Sequence, residues 1–200
     1  MSFNLNLHTK TLLNNYLEVF PNEKNDFSIL EKQLNNEENL GTRKNFDGHL
    51  TASAYILSNN KTEFILIHNI NLDIWLAPGG HREECDEEMY NNAKREACEE
   101  TGLLDLELFD WHTKNNFIPI DIDSHYIPEN IKKGELEHYH HDFRYIFILG
   151  DNNNDVKIQL EEVHGFKWLQ IKNNIPNFSG NNVLEKIRAY CISSETYYSE

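Results

Sequence analysis

The sequence has 200 residues, of which 39% are hydrophobic, and its formal net charge is −15. This length and composition predict one soluble domain with room for an extension. The negative charge argues against a long nucleic acid as partner, because phosphate backbones bind basic surfaces. It does not argue against a small phosphorylated ligand held through metal ions. No apolar run is long enough to predict a transmembrane helix.

The N-terminus and the cysteines bear on the compartment. The first residues, Met-Ser-Phe-Asn-Leu-Asn, have neither the basic nor the apolar region of a signal peptide. The cysteines, Cys85, Cys98 and Cys191, are scattered and odd in number, which favours a reducing compartment over a disulfide framework. We therefore expect a cytoplasmic protein with no membrane partner.

Residues 1–45 are predicted to form a helical extension. Apolar residues recur with the 3.6-residue period of a helix at Leu12, Leu13, Tyr16, Leu17 and Phe20. Pro21 is expected to end this helix, and a weaker repeat from residue 27 to 34 predicts a second one. The apolar stripe would cover the chain's own domain or a second subunit, so a homodimer stays open.

Residues 46–172 read as strands around one long helix and are predicted to form the main domain. A C-terminal helix over 182–191 and a polar tail complete the chain from residue 173. The long helix is predicted over 87–101, and Asn152-Asn153-Asn154 is predicted to be a turn. The predicted strands span residues 49–58, 63–68, 74–76, 103–111, 117–126, 139–149 and 166–171.

The most informative segment is Arg95-Glu96-Ala97-Cys98-Glu99-Glu100-Thr101-Gly102-Leu103. On a helix, Glu96, Glu99 and Glu100 project from one face, a few ångströms apart, where their charges repel. A hard divalent cation removes this repulsion, and carboxylate ligands suit Mg²⁺ or Mn²⁺. Gly102 stands where a helix C-cap belongs, and Gly79-Gly80 predict a tight turn before the helix.

This segment, with Pro78-Gly79-Gly80 before it, resembles the Nudix box, the signature of the MutT-like Nudix hydrolases. The pattern is Gly, five residues, Glu, seven residues, Arg-Glu, an aliphatic residue, any residue, Glu-Glu, any residue, Gly, aliphatic. Its second half matches well, whereas the first half indicates one inserted residue between Gly80 and Glu87. Asp86 and Glu87 are therefore alternatives for the first acidic position.

The resemblance covers roughly residues 46–172 and implies an α/β/α sandwich with a mixed β-sheet. Further segments, among them Gly48-His49-Leu50-Thr51-Ala52-Ser53-Ala54, look like a bacterial subgroup that brings no settled substrate. The implied reaction is water attack on a diphosphate in a nucleotide, a dinucleoside polyphosphate or a nucleotide sugar. The alternative is a non-catalytic nucleotide sensor on the same fold, although such relatives usually lose the carboxylates kept here.

The resemblance also suggests roles for individual residues. Glu96, Glu99 and Glu100 would hold Mg²⁺ or Mn²⁺, and Gly79 and Gly80 would let the backbone approach the metal and the phosphate. Arg95 would hold the loop onto the helix by pairing with Glu87 or Asp86. His81 and Arg144 are candidate phosphate ligands. The general base stays open among Glu99, Glu100, Glu162 and Glu161.

A cluster of histidines, His138, His140 and His141, lies in a strand-like run. Period two predicts that His138 and His140 share one face of the strand while His141 lies on the other. No Cys or second His pair stands at a zinc-site spacing. Polar residues near a pocket or solvent are therefore favoured over zinc ligands.

Overall fold

A single mixed β-sheet organises the protein in a computed structural model that describes residues 3–70, 72–131, 134–151, 156–159, 163–176 and 178–191. Its strands within these ranges are β1 (His49–Leu57), β2 (Glu63–Asn69), β3 (Ile74–Leu76), β4 (Gly79–His81), β5 (Leu106–Leu108), β6 (Asp121–Ile127), β7 (His138–Leu149) and β8 (Val163–Gln170). The α-helices are α1 (Leu5–Val19), α2 (Ser28–Asn35), α3 (Met89–Thr101), α4 (Asp110–Lys114) and α5 (Asn181–Cys191). A 3₁₀ segment, Pro21–Phe27, joins α1 to α2.

The strand order is β3-β2-β1-β7-β5, with β4 beside β1, β6 beside β7 and β8 beside β2. β1 and β7 run parallel, with His49 opposite His140, and the remaining pairs of named strands are antiparallel. β4, β1, β7 and β6 therefore lie side by side. This register aligns residues from distant parts of the chain in rows across the sheet.

Helices lie on both faces of the sheet. Gly80 pairs with Ala52 of β1 and lies against Glu96, so this face carries α3. On the other face, the Tyr55 hydroxyl lies next to Gly180, just before α5. The predicted mixed-sheet sandwich is confirmed. Among the described helices, none combines the length and apolarity that a bilayer span requires.

The N-terminal helices pack on their own domain. Leu13 and Tyr16 of α1 and Leu30 of α2 belong to the same buried core as the sheet. The Nζ atom of Lys186, in α5, lies 2.7 Å from the Tyr16 hydroxyl. The apolar stripe predicted in α1 is thus covered within this chain. Asn4 caps α1, because its side chain accepts a hydrogen bond from the Leu7 N–H.

Several predicted boundaries were wrong for local reasons. α3 begins at Met89, and Gly79–His81 is a short strand paired with β1 where a turn was predicted. The strand predicted over 103–111 stops at Leu108, because α4 begins at Asp110. The next strand cannot start at residue 117, since Asn116 and Phe117 have φ values of 54° and 58° that turn the backbone. The turn predicted at 152–154 lies outside the described residues.

Candidate functional site

The acidic face of α3 presents three carboxylates of graded exposure. Glu100 is buried, the Glu96 side chain is mostly buried, and the Glu99 side chain is half-exposed. Burial raises the pKa of Glu96, the Arg95 guanidinium opposes this shift, and the carboxylates of Glu99 and Asp86 add to it. The negative charges are therefore crowded and partly desolvated, as the spacing on the helix predicts.

Arg95 ties the preceding loop to this helix. Its Nη1 atom donates to Glu96 Oε1 at 3.0 Å and to Glu99 Oε2 at 3.2 Å. Its Nη2 atom donates to Asp86 Oδ2 at 3.0 Å and to the His81 carbonyl at 2.9 Å. The structure thus gives Arg95 the predicted loop-holding contact, and it resolves the partner as Asp86.

Glu87 does not take the place that the box spacing suggested. The Asp86 side chain is 5% exposed and its carboxylate also accepts the Glu83 N–H, whereas Glu87 is exposed. Five residues separate Gly80 from Asp86, as the box pattern requires, so Asp86 takes the first acidic position. The extra residue therefore lies between Asp86 and Arg95, and the sequence-based placement between Gly80 and Glu87 is corrected.

The two glycines before the helix bring backbone close to the carboxylates. The Gly79 N–H donates to Glu100 Oε2 at 2.8 Å. A Cβ atom on Gly80 would stand 2.5 Å from the Glu96 carboxylate, so only a glycine leaves that carboxylate in place. Gly102 ends α3 in the left-handed region with φ 70°, and its N–H bonds the Cys98 carbonyl at 2.9 Å.

The donor set on this face fits a hard divalent cation. Glu96, Glu99 and Glu100 offer only oxygen atoms, which Mg²⁺ and Mn²⁺ prefer. A cation there would oppose both the burial and the repulsion from Glu99 and Asp86 that raise the pKa of Glu96. The backbone of Gly79 and Gly80 lies directly against this set, since the Gly79 N–H donates to Glu100 and Gly80 packs on the Glu96 carboxylate.

Arg144, a predicted phosphate ligand, is paired with three aspartates in the structure. Its side chain is 9% exposed and sits in a buried ion-pair network on β6 and β7. Nε donates to Asp142 at 2.9 Å, Nη1 to Asp121 at 3.0 Å, and Nη2 to Asp123 at 2.6 Å. Each guanidinium nitrogen already bonds a carboxylate, so the structure places the Arg144 side chain in an ion-pair network, and its contact with phosphate stays a prediction.

Imidazoles line up across the opposite face of the sheet. His81 of β4, His49 of β1, His140 of β7 and His125 of β6 come from four adjacent strands. The ring centroid of His49 is 5.0 Å from that of His81 and 4.8 Å from that of His140. The His125 and His140 centroids are 5.7 Å apart. His81 thus lies in this row, beside the loop that Arg95 holds.

His138 and His140 share the face, as period two predicts, with their Nε2 atoms 3.1 Å apart. His141 lies on the other face, where its Nε2 is 2.7 Å from Gln33 Oε1 and its Nδ1 is 2.8 Å from the Ser124 hydroxyl. Burial, followed by the neighbouring imidazoles, lowers the pKa of His140 to about 2, so that ring is neutral. Sequence reasoning missed His49, because only the strand register brings it opposite His140.

Two of the predicted residues cannot be placed. Glu161 and Glu162, the late glutamates proposed as general base or extra metal ligand, lie outside the described residues. The remaining predicted residues divide between the two faces. Gly79, Gly80, Arg95 and the three glutamates of α3 come together, while His81 and Arg144 lie toward the opposite face.

A family model described as "NUDIX domain" matches residues 48–189. The match spans most of the chain and includes the carboxylate helix, its glycine strand and the whole described sheet. The chain therefore belongs to the Nudix family.

Individual relatives agree with this assignment. The chain is 31% identical over 107 residues to a Bos taurus protein named m7GpppN-mRNA hydrolase NUDT17. That match covers 50% of this chain and spans only 33% of the bovine protein. A NUDIX-family hydrolase from Clostridium perfringens superposes with a TM-score of 0.52 and 24% identity, covering 71% of this chain and 95% of that one. A C. elegans Ap4A hydrolase superposes with a TM-score of 0.51 and 17% identity, covering 70% and 96%. Both superpositions confirm the fold.

Proposed function

We propose that this protein is a metal-dependent hydrolase that cleaves a diphosphate linkage in a nucleoside diphosphate derivative by water attack at phosphorus. The observation that carries the proposal is the position of Glu96, Glu99 and Glu100 on one face of α3 beside the Gly79-Gly80 backbone. Mg²⁺ or Mn²⁺ is the cofactor that this oxygen donor set suits.

Some residues of the site would hold the metal, and others keep the loop and the helix in position. A bound divalent cation supplies screening of the phosphate oxygens and stabilisation of the leaving group. Glu96 and Glu100 are positioned by their burial, and Glu100 is oriented by the Gly79 N–H. Arg95 keeps the Asp86 loop against α3, so the glycine backbone stays within reach of the carboxylates.

The proposed candidates for the general base are Glu99, Glu100 and Glu162. Glu161 is the alternative to Glu162. Glu99 is half-exposed, which leaves its carboxylate open to a water molecule. Glu100 is buried and accepts a backbone hydrogen bond, which suits a ligand more than a proton acceptor. A pH profile of kcat/KM for each Glu→Gln variant separates them, because only the base variant loses the acidic limb.

The substrate class is proposed from chemistry and from family membership. The bovine relative is named for a capped mRNA, in which a phosphate chain links two nucleosides. The net charge of −15 opposes a long polyanion but leaves a small nucleotide acceptable when a cation accompanies it. We therefore propose a nucleotide, a dinucleoside polyphosphate or a nucleotide sugar as substrate, in the cytoplasm.

The test is phosphate or nucleotide release across a panel of these compounds, with a cap dinucleotide and a capped RNA added. Wild type is compared with Glu99→Gln in Mg²⁺ and in Mn²⁺. Glu107→Gln serves as control, because Glu107 is an exposed glutamate on β5. We expect metal-dependent turnover that falls on the order of 100-fold or more in Glu99→Gln and is unchanged in the control.

Two other outcomes would redirect the proposal. Absence of turnover on every compound, with a nucleotide that raises the melting temperature of wild type and Glu99→Gln alike, would favour the non-catalytic sensor. Faster turnover of the capped RNA than of the cap dinucleotide would overturn the preference for a small ligand.

A further inference from the structure

We propose that His49, His138 and His140 form a second metal site, suited to a borderline divalent cation such as Zn²⁺ and separate from the carboxylate face of α3. One ring nitrogen of each of these histidines lies within 4.8 Å of the other two. The site does not depend on the proposed hydrolase activity.

The distance between the Nε2 atoms of His138 and His140 is close to that between two nitrogen ligands of one metal ion. Zn–N bonds of about 2.0–2.1 Å in a tetrahedral site place two nitrogens roughly 3.4 Å apart. The Nε2 atoms of His138 and His140 are already 3.1 Å apart. His49 lies opposite His140 in the parallel β1–β7 register, so two paired strands carry the three rings.

Backbone carbonyls fix the tautomers of two of these rings. His49 Nδ1 lies 3.1 Å from the Asn45 carbonyl, and His138 Nδ1 lies 2.7 Å from the Leu136 carbonyl. A carbonyl can only accept, so both Nδ1 atoms carry the proton and both Nε2 atoms keep a lone pair. A hydrogen bond from the second ring nitrogen to a carbonyl is the arrangement usual for metal-ligating histidines.

The Nε2 lone pair of His49 is unsatisfied within the described part of the chain. This atom is buried and has no hydrogen-bond partner among the described residues, while the residue as a whole is 2% exposed. Buried polar atoms are nearly always satisfied, so an orphan nitrogen on a ring grouped with two further imidazoles calls for a ligand. A cation at the centre of the three rings satisfies it.

The donor type selects the metal. Imidazole nitrogens bind Zn²⁺ and its neighbours in the transition series far better than Mg²⁺, which prefers oxygen. The sheet separates the two sites, because Gly80 lies against Glu96 on the face that carries α3, whereas the His81 ring lies 5.0 Å from the His49 ring on the other face. The nitrogen site and the oxygen site therefore lie on opposite faces of the sheet.

A surface cavity lies next to the cluster. A surface cavity of about 670 Å³ is lined by residues that include Asn45, Phe46 and Leu136. Asn45 and Leu136 supply the carbonyls that orient His49 and His138. The Phe46 ring lies 6.1 Å from that of His138. The residues that orient His49 and His138 therefore separate the cluster from this cavity, which makes this side the nearest one to solvent for an entering cation.

The test uses metal-free protein titrated with Zn²⁺ by calorimetry and with Co²⁺ by visible absorption, without nucleotide. The variants are His140→Asn and His49→Gln. His164→Asn is the matched control, since His164 is exposed and stacks on His68 away from the cluster. Glu99→Gln separates this site from the carboxylate face.

We expect one equivalent of metal at the histidine cluster in wild type, in His164→Asn and in Glu99→Gln, apart from any metal bound by the α3 carboxylates. Removing a ligand should weaken binding by about 100-fold or more, beyond the loss seen for outer-shell changes. Equal affinity in the cluster variants, loss in Glu99→Gln alone, or no binding of either metal by wild type would overturn the proposal.

A second measurement needs no variant. If His140→Asn or His49→Gln does not fold, Co²⁺ is added to wild type and the histidine ring signals are followed by NMR. Shifts of the His49, His138 and His140 rings with His164 unchanged support the site. Co²⁺-induced shifts confined to other histidines contradict it.

Discussion

Gly80 and Glu96 lie so close that a Cβ atom on Gly80 would stand 2.5 Å from the Glu96 carboxylate. The atom it would meet is the end of a flexible side chain, so the fold can yield by moving the carboxylate. The same atom on Gly79 would meet the Ala52 carbonyl at 2.6 Å, which is backbone and cannot move cheaply. The two neighbouring glycines therefore have different consequences when substituted.

Gly80→Ala is expected to fold with little change in melting temperature but to lose Mg²⁺-dependent turnover, because Glu96 is displaced. Gly79→Ala is expected to lower the free energy of unfolding by roughly 1–3 kcal/mol, the usual cost of overpacking. Urea unfolding and turnover are measured for both variants. Equal loss of stability in the two variants would show that the Glu96 side chain cannot move away from the added methyl group.

Asp86→Asn is expected to destabilise the protein by roughly 1–3 kcal/mol, because the Arg95 guanidinium loses a buried charged partner. Glu87→Gln is the control, and its exposed side chain should change the free energy of unfolding by less than about 0.5 kcal/mol. Chemical denaturation gives both values. A larger effect for Glu87→Gln would restore Glu87 to the first acidic position of the box.

Arg144→Met leaves three aspartates without their guanidinium partner and should cost roughly 3–5 kcal/mol, the range for a broken buried pair. Arg43→Met removes an exposed pair with Glu135 and should cost about 0–1 kcal/mol. Thermal and urea unfolding measure the difference. An Arg144→Met protein of normal stability with a raised KM would instead support the phosphate contact that the sequence suggested.

His112 is expected to make stability depend on pH. Burial lowers its pKa to about 4, while its ring bonds the Ile118 carbonyl and accepts the Ile146 N–H. The unfolded ring, with a pKa near 6.5, takes up its proton first as the pH falls. The stabilisation is therefore complete above about pH 6.5 and is lost toward pH 4, with a slope of at most about 1.4 kcal/mol per pH unit.

The measurement is the free energy of unfolding at pH 7 and at pH 4.5 for wild type and His112→Asn. Wild type should lose roughly 2–3 kcal/mol more than the variant over this interval. The pKa of His112 can also be followed directly by NMR. A ring that titrates near its unperturbed value would refute the prediction.

Leu13→Ala tests whether residues 1–45 fold with the rest of the chain. Leu13 is 2% exposed within the shared core, so its truncation should cost about 2–5 kcal/mol. Leu7, on the same helix, is 64% exposed, and Leu7→Ala should change little. Unfolding of Leu13→Ala in one cooperative transition agrees with a common core. An early separate transition would establish the extension as an independent unit.

Much of the α3 site was predictable because its determinants are local. The spacing of Glu96, Glu99 and Glu100 places them on one helical face whatever surrounds the helix. Gly102 ends that helix through its own backbone freedom. Period two likewise separated His141 from its neighbours. These features depend on residues a few positions apart, which the geometry of a helix or strand brings together directly.

The positions of Arg144 and His49 depended on the tertiary structure. The residues near Arg144 in sequence do not predict that its guanidinium will contact Asp121 and Asp123, which lie on another strand. His49 meets His140 only because β1 and β7 pair in parallel with one particular register. Strand pairing joins residues that are distant along the chain, and the register is set by burial of whole strand faces, so no local pattern encodes which side chains will meet.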